Sequence, residues 1–153
     1  MRYLSIFLIL TIHIQVIAQR QRLTINDNWR FMKMDVQGFE QTGYDDQFWQ
    51  GVHIPHTWNA KDAFDEERGY YQGIGCYRKL FNVADSWKGR QIYIYFEGAN
   101  HTTDVYINGK LAGKHIGGYT AFAFNITNLV QYGAPNVLAV RVNNAQTEEV
   151  API

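Results

Sequence analysis

Cysteine is almost missing from this chain. Cys76 is the one thiol among 153 residues, so no internal disulfide can staple the fold. It stands in an apolar, strand-like run, where a buried small hydrophobe is expected rather than a reactive thiol. Proline is scarce as well, with three residues, and no Pro-rich linker, repeat or low-complexity tract divides the chain. Net charge is absent: 14 basic and 14 acidic side chains cancel. Without a basic excess or stripe to neutralise phosphates, a nucleic-acid binder is excluded. No segment sustains a 3.6-residue apolar period, which argues against a helical bundle.

A bilayer-spanning run of about 20 apolar residues is also lacking. The nearest approach, from Tyr3 to Ile17, is shorter and already holds His13 and Gln15. It follows the positive Met1-Arg2 start and closes on Val16-Ile17-Ala18. Charged, apolar and small residues in that order make a secretory signal peptide over residues 1–18, cleaved after Ala18. No Cys follows to take a lipid anchor. The expectation is an exported protein, periplasmic or extracellular, with no membrane association after cleavage.

About 135 residues remain, enough for one domain that buries roughly two thirds of its unfolded surface. Aromatics are abundant at 15%, including Trp29, Trp49, Trp58 and Trp87. Such rings can stack on sugars in an extracellular protein, and fill cores at least as often. Short extended segments at about 8–12 residue spacing give an all-β pattern. Arg22 to Phe31 starts extended, with Leu23 and Ile25 alternating against Thr24 and Asn26. Cys76 to Val83 and Gln91 to Glu97 are further strands; in the latter, Ile92, Ile94 and Phe96 face one side and Tyr93, Tyr95 and Glu97 the other. Thr103 to Asn108 runs into Asn108-Gly109, a hairpin turn whose central residues need positive φ, with Lys110 to His115 as the return. Val137 to Val142 is nearly continuous in apolar residues, as a central strand requires. Asn125 to Val130 holds the one helical hint, with Thr127 as a cap and an end near Gly133. Residues 32–75 and 143–153 read as long loops, the former carrying the acidic run Asp65-Glu66-Glu67.

Chemistry-bearing constellations are weak. Glu97 and Asp104 flank one connection, but a catalytic pair also needs a pocket and a raised pKa; both read as solvated strand-end side chains. Asp65-Glu66-Glu67 reads as a solvated loop edge. His53 and His56 lie three apart around Pro55, and no Cys or acidic partner stands at zinc spacing, so neither a metal nor another cofactor is called for. Gly117-Gly118 is turn chemistry, with no helix behind it to cradle a phosphate. Asn100-His101-Thr102 and Asn125-Ile126-Thr127 match the glycosylation acceptor pattern.

Six segments together carry a resemblance. They are Ile54-Pro55-His56-Thr57-Trp58, Gly75-Cys76-Tyr77-Arg78-Lys79-Leu80-Phe81, Phe96-Glu97-Gly98-Ala99-Asn100 and Val105-Tyr106-Ile107-Asn108-Gly109-Lys110. Gly117-Gly118-Tyr119-Thr120-Ala121-Phe122 and Asn136-Val137-Leu138-Ala139-Val140-Arg141-Val142 complete the set. In order and spacing they resemble the N-terminal sugar-binding-like domain of family 2 glycoside hydrolases, which include β-galactosidases, β-glucuronidases and β-mannosidases. The resemblance implies a jelly-roll, galactose-binding-like β-sandwich over 19–142, with 143–153 leading irregularly toward a final strand beyond Ile153. It implies downstream immunoglobulin-like and barrel domains as partners. The barrel would carry the two catalytic glutamates of a retaining hydrolase, about 5–5.5 Å apart.

No catalytic residue therefore falls in this chain. Asn100, with His101 beside it, is the candidate substrate contact, because in similar β-galactosidases the asparagine after the strand ending in Glu/Asp-Gly binds a sugar hydroxyl. An amide suits that task by donating and accepting at once. His101-Thr102 departs from the smaller residues of the family pattern. Trp58, Tyr77 and Arg78 read as scaffold. The substrate would be a terminal β-linked sugar, galactose or glucuronic acid, and the domain would shape one wall of its pocket. A stand-alone carbohydrate-binding module or lectin is the rival, and a purely structural fragment a third option; exposed coplanar aromatics would favour the binder and buried tryptophans the scaffold. Lacking its final strand, the chain alone is expected to be marginally stable and to release no nitrophenol from aryl β-glycosides. Clear turnover by the purified 153-residue chain would contradict that.

Overall fold

The computed structural model describes residues 20–58 and 70–145; the expected signal peptide, the acidic run and the last eight residues lie outside them. Eight strands follow one another: β1 (Trp29–Met32), β2 (Gln50–Val52), β3 (Ile74–Asn82), β4 (Tyr93–Phe96), β5 (Thr102–Ile107), β6 (Lys110–Ile116), β7 (Phe122–Asn125) and β8 (Pro135–Asn143). A single 3₁₀ turn at Asp85–Trp87 is the one helical element among the described residues. The strands form a β-sandwich of unequal sheets, six strands in the order β2-β1-β3-β8-β5-β6 against the pair β4-β7. The strand pairs within both sheets are antiparallel.

β3 and β8 pair over nine residues at the centre of the large sheet, and both faces there are covered. Tyr77, Leu138, Val140 and Val142 join Trp29, Phe31, Val105 and Ile107 in the core between the sheets. Cys76 and Ala139 point the other way into a second cluster with Phe39 and Trp49, supplied by the segment between β1 and β2. Burial on both faces explains the continuous apolar run of β8. It also settles Cys76, which is fully buried and whose thiol burial pushes up to about 11.

The second cluster is anchored by a buried cation. Arg78 is 3% exposed. Its guanidinium donates to Asp46 Oδ2 at 2.8 Å and to the carbonyls of Phe39, Gln41 and Tyr44, and lies 5.3 Å from the centre of the Tyr44 ring. A planar fork with five donors fits so many acceptors at once. Arg141, one strand over, clasps Asp35 through two hydrogen bonds of 3.0 and 2.9 Å.

The hairpin forms at Asn108-Gly109 with both residues at positive φ, 51° and 82°. The Asn108 side chain does more than turn the chain: its Oδ1 accepts from Val137 N at 2.9 Å, and its Nδ2 donates to Leu129 O and Asn136 Oδ1. Asn136, fully buried, satisfies the backbone of Gln131 and Ala134 in turn.

Three expectations need correction. Residues 22–28 form no strand; Leu23 is exposed, and the ladder begins at Trp29, just after Asn28 turns the chain at φ 56°. The segment at 125–130 is a turn rather than a capped helix, because Thr127 spends its hydroxyl on Ile92 N at 2.8 Å while Asn125 Oδ1 accepts from Thr127 N. Within the expected long loop, Gln50–Val52 pairs with β1, and β7 is a strand the alternation of Phe122 and Phe124 had not revealed.

Replacing Arg78 with Met should destabilise the domain by about 3 kcal/mol, since Asp46 and three carbonyls lose their donor; urea denaturation measures it, and a loss below about 1 kcal/mol would contradict this role. The hydrogen bonds from Arg141 hold the Asp35 carboxyl below its ordinary value. A depressed folded-state pKa stabilises above the unfolded value and loses that effect as pH falls through the folded one. The stability difference between wild type and Asp35→Asn should therefore be flat above about pH 5 and shrink below about pH 4, followed by thermal melts across that range.

Candidate functional site

The small sheet is too narrow to roof the whole inner face of the large one. The gap holds a cavity of about 290 Å³. Val140, Val142, Tyr77 and Trp29 line it from the large sheet. One wall is the end of β4 and the turn after it, Phe96 to Asn100; the other is the segment Ile54 to Trp58. The peptide bonds Ile54–Pro55 and Asn100–His101, one in each wall, are cis. Gly75 lets the second wall approach, for a Cβ there would stand 2.7 Å from the Trp58 ring and 2.9 Å from Phe31.

Most polar atoms of the cavity are already spent. Trp58 Nε1 donates to the Tyr77 hydroxyl at 2.6 Å, and that hydroxyl lies 2.9 Å from His56 Nδ1. Burial lowers the His56 pKa and raises that of Tyr77 to about 12, and the Tyr77 hydroxyl joins Trp58 to His56 in one relay. Asn144 accepts from Gly73 N and donates to Tyr71 O, both at 2.7 Å. Asn100 differs. It is exposed at the mouth of the cavity, and its amide makes no hydrogen bond among the described residues. Both its donor and acceptor capacity stay available.

Its position is nonetheless fixed. The following residue, His101, donates its backbone N–H to Asn143 O at 2.8 Å and accepts from Gly117 N at 2.8 Å. A Cβ on Gly118 would overlap Asn100 Oδ1, so the turns after β4 and β6 are in contact. The two sequence candidates part company here. Asn100 faces solvent at the cavity mouth, whereas His101 is half-buried and its Nδ1 is inaccessible, without a protein partner among the described residues, as is Thr103 Oγ1.

The remaining candidates are not brought together. Glu97 pairs with Arg22 at 2.9 Å on the surface, as a solvated side chain. Asp104 is largely buried beside Arg141 at 3.6 Å, a correction to the expectation that it is solvated: it sits within the central ladder rather than at a free strand end. His53 contacts Asp27 at 3.0 Å, His115 contacts Thr120 at 3.1 Å, and Asn125 donates to Gln91 at 2.7 Å. Among the described residues no three His, Cys, Asp or Glu side chains gather as a metal set. The sequence marked Trp58 and Tyr77 only as scaffold; their place on the cavity wall had a signal in the Ile54 to Trp58 segment, but its lining role needs the fold.

Comparison with known proteins agrees with this geometry. Residues 19–151 match the model of the glycosyl hydrolases family 2, sugar binding domain. A beta-glucuronidase of Bacteroides fragilis is 41% identical over 98% of this chain and 21% of its own length. The beta-galactosidase BoGH2A of Bacteroides ovatus is 33% identical over 86% of this chain and 16% of its own. The crystal structure of a Bacteroides uniformis beta-glucuronidase superposes with a TM-score of 0.81 at 44% identity, covering 88% of this chain and 16% of that one. The chain thus spans about a fifth or less of the length of the relatives it matches. With its unequal sandwich and six matching segments, it belongs to glycoside hydrolase family 2, of which it carries the N-terminal sugar binding domain.

Proposed function

We propose that this domain belongs to an exported β-glycosidase, where it packs beside a downstream catalytic barrel, forms part of the substrate pocket wall and contributes Asn100 to a sugar hydroxyl. The free amide at a cavity mouth is the observation that carries this. A sugar hydroxyl both donates and accepts, and Asn100 answers both without giving up an internal bond. His101 positions it through the backbone ties to Asn143 and Gly117. The catalytic carboxylates belong to other domains, so this chain by itself is inactive. Glucuronic acid and galactose are the leading terminal sugars, supported by relatives named beta-glucuronidase and beta-galactosidase.

The rival, a stand-alone binding module, expects exposed coplanar rings. Instead Trp29 and Trp49 are buried and Trp58 and Trp87 half-buried, which favours the scaffold with a rim contact. Asn100→Ala should weaken binding of methyl β-D-glucuronide or methyl β-D-galactoside about fivefold, the worth of one net hydrogen bond, with the melting temperature unchanged. Calorimetric titration and a thermal melt read the two quantities; unaltered affinity for both sugars would refute the Asn100 contact.

A further inference from the structure

One residue beyond Gly118, the glycine that meets the Asn100 amide, stands a ring that the fold does not use. Tyr119, at the apex of the turn between β6 and β7, is 94% exposed, the highest value among the exposed large hydrophobics. It makes no hydrogen bond or ring contact among the described residues and does not line the cavity. The turn that presents it is held at both feet. Gly117 N donates to His101 O at 2.8 Å. His115 contacts Thr120 Oγ1 at 3.1 Å and stacks on Phe122 with centroids 4.1 Å apart and planes 14° apart. Gly118, the residue before Tyr119, touches the Asn100 amide.

Resting on the proposed role of Asn100, we infer that Tyr119 is a stacking platform for the second ring of the substrate, the sugar or aryl group linked to the terminal sugar. The chemistry divides cleanly. A pyranose presents polar edges and an apolar C–H face; Asn100 meets the edge of the terminal ring, and Tyr119 offers a flat apolar surface to the face of its neighbour. Because Tyr119 does not line the cavity, it falls to the second ring rather than to the one held by Asn100. Tyrosine also suits a presented contact, since only two side-chain torsions are lost when it is pinned. The exposed tyrosines of β4 are less free: Tyr95 already carries the Arg22 guanidinium 5.2 Å from its centre, and the Tyr93 hydroxyl faces Asn125.

The test titrates the 153-residue chain with methyl and phenyl β-D-glucuronides and with the matching pair of galactosides. Wild type should bind the phenyl glycoside of its preferred sugar about tenfold tighter than the methyl one. Tyr119→Ala should erase that preference while leaving methyl glycoside affinity unchanged, and Tyr119→Phe should keep it. Asn100→Ala should weaken both ligands equally. A phenyl preference that survives Tyr119→Ala, or a Tyr119→Ala variant weakened equally toward both, overturns the platform even where Asn100→Ala behaves as expected. A preference lost in Tyr119→Ala while Asn100→Ala binds normally overturns the Asn100 contact instead. No binding of any of the four glycosides overturns both.

Discussion

A six-stranded sheet facing a two-stranded one leaves apolar surface that strands alone do not cover, and the rest of the structure answers to that mismatch. The small sheet supplies Ile94, Phe96, Phe122 and Phe124 to the core between the sheets. Over β1 and β3 the cover is irregular chain, Ile54 to Trp58, packed on Phe31 and Tyr77. Where the two covers fail to meet, a cavity remains. Irregular segments bring their own polar groups, and the Trp58–Tyr77–His56 relay pairs those with one another. The site is thus a seam, with its position set by the narrowness of the small sheet.

The outer face of the large sheet faces the same problem and solves it with charge. Residues between β1 and β2 contain too little regular structure to form a layer of their own, so their carbonyls are gathered by Arg78, whose side chain emerges from a buried stretch of β3. Buried ion pairs are poor net sources of stability but strict about geometry. Here that strictness fixes where Phe39 and Trp49 land on Cys76 and Ala139. The turn after β6 that carries Tyr119 leaves this doubly covered sheet, and the turn after β4 that carries Asn100 enters it at β5.

Much of this was legible in the residues. Alternation in β4 and β5, the Asn108-Gly109 turn and the continuous run of β8 each reflect a single dominant constraint, a face buried or a φ forced positive. Legibility failed where constraints were shared. The Leu23 and Ile25 alternation mimics a strand, yet no partner strand reaches it. Gln50–Val52 is too short to show a period and is a strand only because β1 pairs with it. Thr127 looks like a cap, but the hydroxyl is claimed across the sheet by Ile92. Asn100 was reached through family resemblance; that its amide is free, while those of Asn108, Asn136 and Asn144 are spent, is visible only once every partner is placed. Tyr119 stands in one of the six segments that carry the resemblance, but nothing in the sequence shows that its ring is left exposed, because the two glycines before it read as an ordinary turn.

The most direct test of a carbohydrate edge at this seam is a crystal structure of the chain with methyl β-D-glucuronide or methyl β-D-galactoside bound. The account predicts a sugar at the cavity mouth with one hydroxyl within hydrogen-bond distance of the Asn100 amide. A sugar bound instead on the outer face of β4, against Tyr93 and Tyr95, would contradict it and make the domain a surface binding module.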